Sequence, residues 1–171
     1  MRYINAIIKI LTFPGGFLRG FWEQLLCKIF GIPVENKKYF QFNEMAGHVE
    51  HEPVKGAKSF WLCFIPGLMM FITGMIFALP AILNIWYLDV SGAVLRIVSL
   101  ICLYFAFSMF TNLFPSIEDA LMMWEEYKDL KKAERIVFAP GAAIMRVGAY
   151  AENMGVTFLT NALLTAAMLL I

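Results

Sequence analysis

Residues 59–88 include no acidic or basic side chain. About 20 predominantly apolar residues carry a helix across the hydrocarbon core of a bilayer, so 60–83 can cross with room for tilt. A second run, 90–114, holds a single charge, Arg96. A helix on the surface of a soluble protein shows polar residues recurring with a period near 3.6, and neither run does. The expected fold is an all-α integral membrane protein, a small bundle of about four membrane helices.

Composition agrees. Charged residues are 16% of the 171, where a soluble domain is roughly a quarter charged. A net charge of +1 gives no basic face for a nucleic acid. Cys27, Cys63 and Cys102 are odd in number and lie in apolar stretches, so they read as small buried apolar residues rather than a disulfide framework. The start of the chain has a superficial likeness to a signal peptide. Lys9 interrupts its apolar part and no small-x-small site follows, so it is expected to be retained.

The 171 residues are read as one membrane domain. An N-terminal part, 1–31, is amphipathic and either re-entrant or spanning: 2–13 is ended by Pro14-Gly15-Gly16, and a second helix over 17–30 is capped by Gly31. A polar segment follows at 32–58, where Lys38-Tyr-Phe-Gln-Phe-Asn43 alternates with period two and predicts a short strand. The two-span hairpin is 59–114, a charged helix is 116–135, and 136–171 is a C-terminal membrane segment interrupted by Pro140-Gly141, Arg146 and Glu152, either one bent helix or two short ones. Lysine and arginine flank the hairpin on both sides and are missing from its loop at 86–89. The positive-inside bias then puts 32–58 and 116–135 on the cytoplasmic side of an inner or plasma membrane. Trp61, Trp86, Tyr87 and Trp124 suit an interfacial belt, and Gly67, Gly74, Gly92 and Gly148 suit close helix packing.

Several polar residues invite two readings. His48-x-x-His51-Glu52 is either half a metal site or a solvated or hydrogen-bonded pair. Ser116-Ile-Glu-Asp119 after Pro115 has the form of a capping box, which explains Asp119 without chemistry. Glu125, Glu126, Lys128, Asp129, Lys131 and Lys132 form a solvated face with pairs at i,i+3 and i,i+4. Arg96 is placed to snorkel to the opposite interface. A transporter or channel is disfavoured, because the two runs have almost no polar lining and no internal repeat.

Three patches together resemble the small membrane-embedded zinc metalloproteases related to the site-2 protease family. They are Phe13-Pro14-Gly15 followed by Cys27 and Gly31-Ile-Pro-Val34; Tyr39-Phe-Gln-Phe-Asn-Glu-Met-Ala-Gly-His-Val-Glu-His-Glu52; and Asn112-Leu-Phe-Pro-Ser-Ile-Glu-Asp119. In that family an H-E-x-x-H helix follows the Pro-Gly, and an aspartate like Asp119 supplies the last ligand. The motif places two imidazoles on one helical face and a glutamate to activate water. Here those positions hold Arg19, Gly20 and Glu23. Arginine repels a metal and glycine offers no base, so the family's chemistry is not implied and no zinc is expected; a zinc site that includes His48 and His51 is the alternative. Arg19, Glu23 and Asp119 are expected to form an ion-pair cluster replacing the metal, the other reading being that Arg19 and Glu23 face water or headgroups. The resemblance implies a non-catalytic relative that binds or regulates another membrane protein. Its rival is a membrane hydrolase with a rebuilt site using Glu23, His51, Glu52 or Asp119.

Overall fold

In a computed structural model of the chain, residues 2–36, 48–86 and 93–170 are described. Among them, seven helices and one two-stranded sheet follow in the order α1 (Arg2–Leu11), α2 (Phe13–Phe30), β1 (Val34–Asn36), β2 (Glu50–His51), α3 (Ala57–Trp86), α4 (Ala93–Thr111), α5 (Ile117–Lys128), α6 (Lys132–Asn153) and α7 (Val156–Leu170). The described residues form an all-α membrane protein apart from this small sheet.

Within α3 and α4, Ala57–Asn84 and Val94–Thr111 are long and apolar enough to cross a membrane. At 1.5 Å per residue, 28 residues reach about 42 Å, more than the roughly 30 Å of hydrocarbon. The helices α6 and α7 are bent by 81° at their junction and would make a third, broken span if taken as one. Pro66 and Pro80 lie inside α3 without ending it, as membrane helices tolerate when neighbours satisfy the freed backbone groups.

The packing is tight where glycine permits it. A Cβ on Gly67 would come within 2.9 Å of the Leu113 carbonyl, and one on Gly74 within 2.8 Å of the Phe110 ring. Gly148 lies against the Phe114 ring in the same way. Gly92 falls outside the described residues. One core cluster joins α3, α5 and α6 through Phe60, Cys63, Met123, Ala142 and Met145, with Phe60 stacked on Phe138 at 4.5 Å between ring centres. A second joins α2 to the start of α3 through Leu26, Cys27, Val54 and Leu62. All three cysteines are free thiols.

Four boundaries differ from those read in the sequence. Pro14-Gly15-Gly16 does not end the first helix; it forms the first turn of α2, with Pro at N1/N2, where a missing N–H costs nothing. The charged helix does not run to 135. It stops at Lys128, with Asp129 and Leu130 bonding back to Glu126 and Tyr127, and α6 starts at Lys132. No glycine or proline marks that turn; the packing of α6 back onto α5 and α3 sets it. Pro140-Gly141 does not interrupt α6, because Phe138 and Ala142 anchor the helix on both sides of it. The break in the C-terminal segment comes instead at Gly155, which has φ +74°, so the segment is two helices. Gly31 ends α2 at φ 68°, with the Ile32 N–H donating to Cys27. The strand expected over 38–43 lies outside the described residues. The observed pairing is antiparallel, Val34 with His51 and Asn36 with Glu50.

At Gly15 a Cβ would overlap the Ser108 carbonyl and crowd the Asn112 amide. Backbone cannot yield as a flexible side chain can, so Gly15→Ala should destabilise by about 1–3 kcal/mol, measured as a lower thermal midpoint of the purified protein in detergent.

Candidate functional site

Arg19 and Glu23 of α2 face inward, while Lys28 near its end is exposed. Pro14, Gly15, Gly16, Arg19, Gly20, Glu23, Leu26 and Cys27 are its buried residues, so a helix carrying three charges buries two of them. Arg19 is fully buried. Its Nε donates to Glu23 Oε1 at 2.9 Å, one turn along the same helix, and its Nη1 donates to the Leu113 carbonyl. Nη2 has no hydrogen-bond partner among the described residues.

Glu23 holds the two residues just before β2. Its Oε1 also lies 3.2 Å from His48 Nδ1, and its Oε2 accepts from the Val49 N–H at 3.2 Å. Each carboxylate oxygen is thus occupied, and the pair pins residues 48–49 onto α2.

Asp119 belongs to the next shell of this cluster rather than to Arg19 directly. The Ser116 hydroxyl donates to its Oδ2 at 2.7 Å and accepts from its N–H at 3.1 Å, capping α5. His51 Nε2 lies 3.5 Å from its Oδ1, while His51 Nδ1–H donates to the Glu52 carbonyl. The two histidines therefore do not pair with each other; each faces a different carboxylate. Glu52 is exposed, and its N–H donates to the Pro33 carbonyl. Burial, and next the Glu23 charge, push the Asp119 carboxyl above the usual carboxylate range.

Ligand atoms of Glu23, His48 and Asp119 all lie within 4.8 Å of one another. Three donors of these types can hold zinc. In this arrangement Glu23 Oε1 already accepts from the Arg19 guanidinium. A metal there would face a fixed cation, or would take Glu23 away and leave a buried charge unpaired.

A second polar seam lies beside the first. Lys9 Nζ donates to Glu152 at 2.7 Å and to Asn112 Oδ1 at 3.0 Å. Glu152 Oε2 accepts from the Phe114 N–H. The Asn112 amide donates to Thr12 and to the Ser108 carbonyl, and Ser108 Oγ bridges the Thr12 carbonyl and the Gly15 N–H. A cavity of about 210 Å³ opens along this seam, lined by Lys9, His48, Asn112, Ser116, Glu118 and Glu152 among others. Sequence reading had not joined these residues. The signal was there: Lys9 and Glu152 are isolated charges in apolar segments, and such charges pair.

Comparisons with protein-family models, curated proteins and solved structures give no match.

Two outcomes follow from this geometry. Arg19→Ala should destabilise by about 3–5 kcal/mol by stranding Glu23, and Arg19→Ala with Glu23→Gln should recover part of that, both read from thermal unfolding. Asp119 binds its proton more tightly folded than unfolded, so its contribution to stability is present at low pH and lost as pH rises through the raised value. Asp119→Asn cannot ionise; its thermal midpoint should exceed that of the unsubstituted protein at neutral pH, with the gap closing on acidification.

Proposed function

We propose that this chain is a non-catalytic relative of the membrane zinc proteases of the site-2 type, and that it binds another membrane protein. The observation that carries this is the Arg19–Glu23 pair. The i and i+4 positions where the motif would put two imidazoles on one helical face hold a buried cation and its carboxylate partner. Gly20 stands where a general base would be needed. The carboxylate that would complete the metal shell, Asp119, sits in the same cluster. Ion pairing keeps such charges tolerable in apolar surroundings, so the arrangement is stable without a metal.

Binding rather than hydrolysis suits the adjoining cavity. Its lining mixes donors and acceptors from Lys9, Asn112, Ser116 and Glu152 with apolar Ile8, Pro115 and Ala149, as a short stretch of polypeptide requires. On the lysine and arginine bias, we place residues 32–58 and 116–135 on the cytoplasmic side.

A second reading rests on the carboxylate pair. Glu23 is bonded to the Arg19 guanidinium and faces His48, while burial and the nearby Glu23 charge make Asp119 retain its proton more readily than usual. Adjoining carboxyls in different states are how hydrolases divide acid and base roles. Both oxygens of Glu23 are already occupied, which favours the non-catalytic reading.

Elemental analysis of the purified protein should find no stoichiometric zinc. The variant combining Arg19→His, Gly20→Glu and Glu23→His restores the motif beside Asp119 and should bind about one zinc per chain, the content expected of a single motif site. Zinc in the unsubstituted protein that is lost on His48→Ala would overturn the proposal. Failure of a folded triple variant to bind zinc would remove the kinship.

A further inference from the structure

The helix α2 is inverted relative to a helix on a soluble protein. Of its three charged residues Arg19 and Glu23 are buried and only Lys28, in the last turn, is exposed, while Phe13, Phe17, Phe21, Leu25 and Ile29 are 36 to 65% exposed. Those five recur at every fourth position, so they form one continuous stripe along the helix. From the first to the last is about 24 Å at 1.5 Å per residue, against roughly 30 Å for the hydrocarbon core. An apolar stripe of that length is costly in water.

The neighbours of α2 place it beside the spanning helices. Tyr104 of α4 donates to the Leu11 carbonyl, Ser108 accepts from the Gly15 N–H, and the Leu113 carbonyl meets both Arg19 and Gly67. Further along, Cys27 packs with Leu62 of α3. The first half of α2, with Phe13 and Phe17, therefore runs alongside the last turns of α4, and its second half continues past the end of α4 beside the first turns of α3, antiparallel to it and within the apolar length Ala57–Asn84. Outward apolar residues occur on α1, α3, α4, α6 and α7 as well. A partner protein covers one face, whereas acyl chains surround a bundle.

We propose that the stripe Phe13–Phe17–Phe21–Leu25–Ile29 contacts lipid acyl chains, making α2 a membrane-embedded helix whose polar face is turned into the bundle. Hydropathy alone misses it because Arg19, Glu23 and Lys28 lower its average. This stands independently of any kinship to proteases.

The test places the photoreactive residue p-benzoylphenylalanine at Phe17 or Phe21 of the full chain, in vesicles of phosphatidylcholine and phosphatidylglycerol. Irradiation should yield protein heavier by the mass of one phospholipid, as should the same probe at the outward-facing Phe71 of α3. A covalent dimer would show that a second copy covers the stripe and would overturn the proposal. So would the absence of lipid adducts at both positions while Phe71 gives them, which would place the face in water. The probe at Leu25 repeats the reading if either Phe variant fails to fold.

Discussion

Between Thr111 and Ile117 the backbone leaves the helix inside an apolar bundle, and its carbonyl and amide groups need partners there. Water is the usual partner of irregular backbone, and a membrane protein cannot rely on it. Three side chains answer the need. Arg19 donates to the Leu113 carbonyl, Glu152 accepts from the Phe114 N–H, and Ser116 caps the first turn of α5. They come from α2, α6 and the break itself. The charges that look misplaced in the sequence are the groups that let α4 stop where it does.

Each of these charges in turn requires a counter-charge. Arg19 takes Glu23, and Glu23 then holds His48 and the Val49 N–H. Glu152 takes Lys9, and Lys9 then holds Asn112. The chain of requirements extends from the end of α4 to α1, to α2 and to residues 48–49. An unpaired charge in such surroundings costs several kcal/mol, so the two seams fix the relative placement of helices that apolar packing alone would leave free to slide. The cavity between them follows from this, since polar side chains that must meet at α4's end cannot fill space as closely as the aromatic cluster around Phe60 does.

The legible parts of the fold share a physical basis. The two spanning helices were visible because an uncharged run of that length has few alternatives. Gly31 was visible as a stop because only glycine enters the left-handed region at low cost. The turn at 129–131 was not, because it contains only charged and aliphatic residues that equally suit a helix interior. Pro140-Gly141 misled for the opposite reason: a local breaker was overridden by packing on either side. At the site, the spacing of Arg19 and Glu23 showed that they share a helical face. It could not show that His48 would reach Glu23 while His51 reached Asp119, since those pairs are set by how residues 48–51 lie against α2 and α5.

The sequence by itself determined that this protein belongs in a bilayer, that its body is helical, and that Arg19 and Glu23 lie one turn apart. These are consequences of composition and of the period of the helix, which no tertiary arrangement alters. Only the tertiary structure decided which way α2 faces, where the last helix bends, and that Lys9, Asn112 and Glu152 meet across more than a hundred residues of chain. Amphipathicity specifies that a helix has two faces. Which one is buried depends on whether the surroundings are water or lipid and on where the partners for its charges are found.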